Sequence, residues 1–373
     1  MLVDSVRHFV DKEYDFEQRM SLLRNDPKLM GHWQFFANNG WLAAALPEKY
    51  DGLGGSVVDT VLIMEQFGRG LVVEPYLGCG VFAPQTVLAA ASEAQKENLL
   101  PGIIRGASRL AVAYSEASSR GDPSWAETTA APSSEGYVLH GRKTLVLGGM
   151  GASAFIVSAR MAHSAHKVSD EISLFLVDAD VSGLSIQPWR LHDGSYAAEI
   201  TLDQVRVGKN ALLGASGSGL SALQTGLTHA IAALGAELVG GMDKAIEITA
   251  EYLRVRHQFG VPIASFQALQ HRMADMAAET ELARSMLYAL LAAIENEIQP
   301  AALSHAVSQA KALICRSARY VCGQAIQLHG GIGMTEECAI GHYFKRAIVA
   351  DLLFGSADLH DEYCAGNLQN ETL

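Results

Sequence analysis

One polar stretch of the sequence contains residue types that could bind a nucleotide. Arg256 is followed closely by Gln258, Phe259 and Gly260, and then by the adjacent pair Phe266–Gln267. A guanidinium can donate paired hydrogen bonds to phosphate oxygens, and a flat aromatic ring beside side-chain amides suits an adenine. The stretch therefore predicts a site for a pyrophosphate and an adenine.

The same stretch also has the features of a turn between two helices. Long alanine-rich runs lie on both sides of it. Gly260 tolerates a left-handed φ and Pro262 has no backbone donor, so both favour the end of the first helix. Arg254, Arg256 and His257 would occupy its last turn, where cations suit the helix dipole. A helical hairpin without any ligand would explain these features equally well.

A second motif lies nearer the C-terminus, where Gln327 precedes the pair Gly330–Gly331 within a segment that reads Gln-Ala-Ile-Gln-Leu-His-Gly-Gly-Ile-Gly. Together with the Arg256 stretch, this motif resembles the signatures of the acyl-CoA dehydrogenase flavoenzymes. Segments 46–55 and 95–106 also resemble that family, so the resemblance spans nearly the whole chain. Within the family, segments 14–19, 74–77 and 342–346 are similar to the small subunit of pimeloyl-CoA-dehydrogenase-like pairs.

The resemblance implies an FAD-dependent α,β-dehydrogenation of an acyl-CoA thioester, with electron-transfer flavoprotein as the electron acceptor. In the family a carboxylate removes the Cα proton and the flavin takes hydride from Cβ. The usual base position matches Phe354, and the alternative position, early in a long helix, matches Ala230. Glu237 lies roughly 10 Å further along that helix, and Asp351 could serve only on a shifted backbone. The catalytic base therefore stays unidentified.

The resemblance also implies a flavin site in two halves. Tyr114 and Ser115 match residues that contact the flavin ring, but the family's ring-packing Trp-x-Thr matches 145–147, which read Leu-Val-Leu. The other half, which in relatives holds the adenine and pyrophosphate of a neighbouring subunit's FAD, is retained. Its matching residues are Arg256, Gln258, Phe259, Phe266, Gln267, Gln327, Gly330 and Gly331. A subunit that completes the active site of a Glu-bearing partner in a hetero-oligomer would explain this asymmetry.

Two other functions are compatible with the same residues. A homo-oligomeric flavoenzyme, as a dimer or tetramer, could use a non-standard base and would hold FAD by itself. A non-catalytic structural homologue could have lost the flavin, although the retained Arg256 and Gln327 count against that hypothesis. The sequence does not identify the acyl chain of the substrate.

Composition and charge exclude several classes of partner. The chain has 373 residues and a net charge of -12, which disfavours binding to nucleic acid or to an anionic membrane. We find no apolar stretch long enough to predict a membrane span, and the N-terminus lacks a secretory hydrophobic region. The five cysteines show no Cys-x-x-Cys spacing, which predicts reduced thiols and a cytoplasmic protein. His163 and His166 lack further candidate ligands, so no metal site is expected.

The periodicity predicts an α+β fold in three parts, which is also the order that the family resemblance implies. These are an N-terminal helical domain (1–108), a middle antiparallel β-barrel or sandwich (109–214) and a C-terminal bundle of the four-helix type (215–373). One helix is predicted over 220–256, and its glycines indicate close packing. Apolar or small residues at 269, 273, 276, 280, 283, 287, 290 and 294, and at 314, 318, 321, 325 and 328, predict two bundle seams. The glycine clusters at 148–151 and 214–219 are predicted to be turns.

Overall fold

The computed structural model describes residues 2–26, 28, 30–162 and 172–371; the loop histidines His163 and His166 lie outside these ranges. In chain order, a helical segment is followed by a β segment and then by a second helical segment, which confirms the predicted α+β fold. The chain divides into two compact units. The first comprises 1–20, 57–72 and 231–373, and the second comprises 21–56 and 73–230. The three predicted domain boundaries stay predictions.

The N-terminal segment is helical because its apolar residues recur at helical spacing and its turns carry strong end signals. Ser92 and Gln95 form a capping box at the start of one of these helices. Trp33 and Trp41 are almost fully buried, as expected for packing residues. The helices are α1 (Leu2–Lys12), α2 (Phe16–Asn25), α3 (Trp33–Asn38), α4 (Val57–Gly70), α5 (Ala83–Ala90) and α6 (Glu93–Ile104).

The β segment forms one sheet in the order β6-β7-β3-β2-β4-β5-β8, with β1 paired to β4. The strands are β1 (Leu110–Ala113), β2 (Thr129–Pro132), β3 (Gly136–Leu147), β4 (Ala154–Met161), β5 (Ile172–Asp178), β6 (Leu184–Arg190), β7 (Tyr196–Gly208) and β8 (Leu212–Leu213). The pairings of β4 with β1 and with β2 are parallel, so the sheet is mixed and not purely antiparallel as predicted.

Apolar runs at 110–114, 137–140, 144–147, 154–158, 172–177 and 198–207 predict strands, and the structure differs from this prediction at two kinds of position. The runs 137–140 and 144–147 belong to one strand, β3, whose register shifts around Gly141 instead of ending there. The strands β2, β6 and β8 escaped prediction. β2 and β6 each contain a proline, and β6 lies at the end of the sheet order with mostly exposed residues, so neither shows the alternating apolar pattern of a half-buried strand.

The C-terminal segment contains α7 (Gly219–Val255), α8 (Gln267–Glu295), α9 (Pro300–His329), α10 (Ala339–Leu352) and α11 (Ala357–Glu371). Helix α7 confirms the predicted long helix, and the predicted seam positions of α9 are all buried. A Cβ on Gly240 would lie 1.8 Å from the Glu65 carbonyl oxygen, and one on Gly226 would lie 2.1 Å from the Thr86 hydroxyl. The glycines therefore permit close packing, as predicted. Within the described ranges no helix has the length and apolar character needed to cross a membrane.

Candidate functional site

The Arg256 stretch forms an exposed β-hairpin between α7 and α8. Strands β9 (His257–Gln258) and β10 (Val261–Pro262) pair antiparallel, with Val261 opposite Gln258. Phe259 and Gly260 form the two-residue turn with φ of 55° and 82°, the signs that a type I′ turn requires. A phenylalanine is disfavoured at such a φ. The Phe259 side chain is also 92% exposed. The predicted turn is confirmed. The two strands were not predicted, because a strand of two residues is too short to show a periodicity.

The polar groups of this hairpin face solvent. Arg256, Gln258 and Gln267 are all exposed, and the rings of Phe259 and Phe266 lie 6.2 Å apart at 80°. Among the described residues, the structure gives the Arg256 guanidinium neither a hydrogen bond nor an ion pair, so all five of its N–H donors face outward. The hairpin therefore presents a free cation next to amides and an exposed aromatic pair.

The second motif lies beside the first, at the end of α9. The ring of Tyr252, one turn before Arg256, stacks on His329 with centroids 4.4 Å apart and planes at 20°. The Arg272 Nη1 atom also donates to Gln324 Oε1 at 2.6 Å, which joins α8 to α9. These two contacts bring together two motifs that are far apart in the sequence.

The glycines after His329 leave room for a ligand. Gly330 has a φ of 67°, and a Cβ on either Gly330 or Gly331 would meet no protein atom within 4 Å. Gln327 is exposed on the same helix end. Open glycine backbone, an unpaired guanidinium and exposed amides are groups that bind phosphate and adenine. The structure thus brings together the eight residues from both motifs on one compact unit, and their chemistry fits the ADP end of FAD.

Three buried histidines of this unit make its stability sensitive to acid. Burial lowers the pKa of His329, His342 and His360, and the charge of Arg19 contributes at His342. Below about pH 6.5 the unfolded chain therefore takes up protons that the folded chain does not. The free energy of unfolding then decreases as the pH is lowered, by up to about 1.4 kcal/mol per pH unit for each histidine. We expect a lower midpoint of thermal unfolding at pH 5.5 than at pH 7.5, measured by far-UV circular dichroism. The His360→Gln variant should show a weaker pH dependence, and equal midpoints at both pH values would contradict the prediction.

The residues matched to the flavin ring lie apart in sequence from this half, at the end of β1. The Tyr114 side chain is buried, with its ring 5.8 Å from that of Phe82, and burial raises the pKa of the phenol. The Ser115 carbonyl accepts a hydrogen bond from the Thr144 backbone N–H at 2.8 Å. Leu145, the first residue of the segment matched to the family's Trp-x-Thr, has a φ of 53° and is 42% exposed. An aliphatic side chain at this position cannot provide an aromatic stacking surface.

A buried ion pair anchors this segment, and sequence reasoning missed it. Lys143 Nζ lies 2.7 Å from Glu116 Oε1, 2.9 Å from Ser158 Oγ and 3.2 Å from the Tyr114 carbonyl. Glu116 also accepts hydrogen bonds from the Thr128 hydroxyl and backbone N–H. Burial lowers the pKa of Lys143 to about 8, although the negative charge of Glu116 acts to raise it. The available signal was a lysine at an inward-facing position of a strand, which needs a buried partner.

The positions matched to the catalytic base carry no carboxylate. Ala230 is fully buried in α7, and Phe354 occupies a bend with a φ of 61°. Both alternative carboxylates are already bonded. Glu237 pairs with Arg346 through contacts of 2.6 and 2.9 Å, and Asp351 accepts from the Ala357 N–H and from Arg319. The catalytic base therefore stays unidentified.

Comparisons with known proteins point to the same family in all three parts of the chain. Three family models match, the acyl-CoA dehydrogenase N-terminal domain at residues 1–107, the middle domain at 111–205 and the C-terminal domain at 217–368. The chain is 30% identical over 342 residues to a 3-(aryl)acrylate reductase of Clostridium sporogenes, covering 89% of this chain and 88% of that protein. It is 28% identical over 338 residues to a subunit of the caffeyl-CoA reductase-Etf complex of Acetobacterium woodii, covering 89% and 88%.

A solved structure shares the same fold over almost the full length. A steroid ACAD named Tcur3481-Tcur3483 superposes with a TM-score of 0.87 at 29% identity, covering 99% of this chain and 97% of that one. The matched family consists of FAD-dependent flavoproteins that act as oxidoreductases on acyl-CoA thioesters. Three consecutive family domains and a matching fold establish that the chain belongs to the acyl-CoA dehydrogenase family.

Proposed function

We propose that this chain is a subunit of a hetero-oligomeric acyl-CoA dehydrogenase, in which it supplies the ADP-binding half of the flavin site to a partner that carries the catalytic glutamate. The observation that carries the proposal is the contrast between two parts of the molecule. The exposed hairpin keeps an Arg256 that makes no hydrogen bond or ion pair within the described part of the chain, and the backbone at Gly330–Gly331 is open. The two base positions instead hold Phe354 and Ala230.

The exposure of this half-site supports a role toward another chain. Apolar side chains at and beside the two motifs are strongly exposed, among them Phe259 at 92%, Val255 at 73% and Met334 at 75%. Large apolar side chains exposed next to polar groups are typical of a surface that a partner covers. Arg256 would bind the pyrophosphate of the partner's FAD, while Gln258, Gln327 and the glycine backbone would bind its remaining polar groups. FAD, once bound, supplies the hydride acceptor.

The other partners follow from the family and from its named relatives. Acyl-CoA thioesters are the proposed substrate class, and electron-transfer flavoprotein is the proposed electron acceptor, since one relative belongs to a complex with Etf. Cys79 and Cys322 are buried free thiols whose pKa values burial raises, to about 11 and about 12, which suits a reducing cytoplasm. The kinship with pimeloyl-CoA-dehydrogenase-like small subunits stays part of this proposal.

The proposal predicts the flavin content of the purified chain. We expect far less than one FAD per chain when this chain is expressed alone, because its ring half lacks an aromatic surface at Leu145. Co-expression with a Glu-bearing acyl-CoA dehydrogenase subunit should give about one FAD per pair of chains. Flavin is measured by absorbance after denaturation, and assembly by light scattering.

Two outcomes of that measurement would replace the proposal. Stoichiometric FAD in the isolated chain would establish a homo-oligomeric flavoenzyme with a non-standard base. An absence of FAD both alone and with every Glu-bearing partner tested would establish a structural homologue that has lost the cofactor.

A further inference from the structure

The bend that contains Phe354 has a backbone shape that a phenylalanine does not favour. Helix α10 ends at Leu352 and α11 begins at Ala357, and between them Phe354 and Gly355 have φ values of 61° and 96°. Left-handed φ is costly for a bulky residue and persists only where surrounding groups enforce it. Two buried side chains, Lys311 and His360, contact the main chain of this bend.

Lys311 joins both sides of the bend from the neighbouring helix α9. Its side chain is almost fully buried, and Nζ lies 2.9 Å from the Gly355 carbonyl oxygen, 3.1 Å from that of Asp351 and 3.2 Å from that of Ala350. The three donors of the ammonium group face these three carbonyls and the Cys315 sulfur, which lies 3.3 Å from Nζ. Two of the carbonyls belong to the last turn of α10, and that of Ala350 also accepts from the Leu353 backbone N–H. Lys311 thus ties the end of α10 to the residue after Phe354.

His360 holds the carbonyl of Phe354 itself. Its ring is buried, with Nε2 3.1 Å from the Phe354 carbonyl oxygen and Nδ1 3.1 Å from Ser308 Oγ. A carbonyl only accepts, so Nε2 carries the proton, and burial lowers the pKa of the ring so that it is neutral near pH 7. Nδ1 must then accept from the Ser308 hydroxyl. This pairing fixes the tautomer that binds the bend.

We propose that Lys311 and His360 are positioning residues. By holding the main chain of the bend, they fix the direction of the side chain at position 354, whichever residue stands there. The contacts that Lys311 and His360 make with the bend all go to main-chain carbonyls, so they do not depend on which side chain stands at position 354. The inference rests on the proposed match of Phe354 with the base position of catalytic relatives, and it names the groups that set that position.

A fluorine label at position 354 tests the inference. Phe354→Cys is introduced together with Cys338→Ser and Cys364→Ser, because these two thiols are the partly exposed ones. The new thiol is labelled with a trifluoromethyl reagent, and fluorine NMR should show one narrow resonance. Adding Lys311→Met should produce several or broadened resonances, with about tenfold faster amide exchange over 352–357. Adding Lys143→Met, which removes a buried lysine of the other compact unit, should preserve the single resonance.

A second pair of variants keeps the test valid if Lys311→Met does not fold. His360→Leu removes the donor to the Phe354 carbonyl and should also give several resonances. His360→Gln keeps an N–H donor and should retain one. A single unchanged resonance in every folded variant of Lys311 and His360 would overturn the inference. These measurements need neither FAD nor a partner, so their failure is distinguishable from failure of the proposed half-site, which the flavin stoichiometry tests.

Discussion

The Arg256→Ala variant, assembled with a Glu-bearing partner, is expected to lose FAD about 10- to 100-fold more readily than the unmodified complex. Charge-assisted hydrogen bonds to a phosphate contribute about 1.5–3 kcal/mol each, which corresponds to that range. Because Arg256 is exposed and its side chain makes no hydrogen bond or ion pair within the described part of the chain, the substitution should leave the thermal stability of the isolated chain unchanged. FAD dissociation is measured by fluorescence on dilution of the complex.

The matched control is Arg254→Ala. Arg254 is an exposed arginine two positions earlier, in the last turn of α7, so it carries the same charge without matching a family signature position. Its removal should change FAD retention by less than about twofold at physiological salt, where exposed charges are screened. Equal FAD retention in the Arg256→Ala complex and the unmodified complex would contradict the proposed role of the hairpin.

The Lys143→Met variant is expected to destabilise the β segment strongly. Lys143 is fully buried, and its removal would leave the Glu116 carboxylate in the protein interior without its cation. Breaking a buried pair by removing one partner costs about 3–5 kcal/mol, which for a unit of this size corresponds to a fall of about 10 °C in the unfolding midpoint. Differential scanning calorimetry of the isolated chain measures this effect.

Lys49→Met provides the comparison for this second prediction. Lys49 also pairs with a glutamate, Glu93, but both side chains are more than half exposed. Solvent screens such a pair, so its loss should lower the unfolding midpoint far less than the loss of Lys143. Similar unfolding midpoints for Lys143→Met and Lys49→Met would show that the buried pair does not stabilise the β segment.

The retained half-site and the bend at Phe354 have different consequences for the proposed complex. In the proposed complex, a partner would bury the exposed apolar tip of the hairpin. The bend is contacted by Lys311 and His360 of the same chain. On the proposal, this segment therefore keeps its shape although position 354 holds no carboxylate.

The sequence by itself determined the elements whose signals are local. The 4-3-4-3 spacing from 269 to 294 and the seam from 314 to 328 predicted helices α8 and α9, and the run from 220 to 256 predicted α7 nearly to its ends. Gly260 marked the turn, because left-handed φ is a property of a single residue type. The two motifs that resemble the family signatures were also recognisable, since each is a short continuous segment.

The tertiary structure alone decided what depends on contacts between distant segments. The parallel pairing of β4 with β1 and β2 has no local pattern, because register and direction are set by neighbouring strands. The pairing of Lys143 with Glu116, and the attachment of Lys311 to the bend at Phe354, join groups that are remote in sequence. The proximity of the two motifs depends on the Tyr252–His329 stack. Sequence periodicity reports which face of an element is buried, whereas the partner on that face is fixed only when the chain folds.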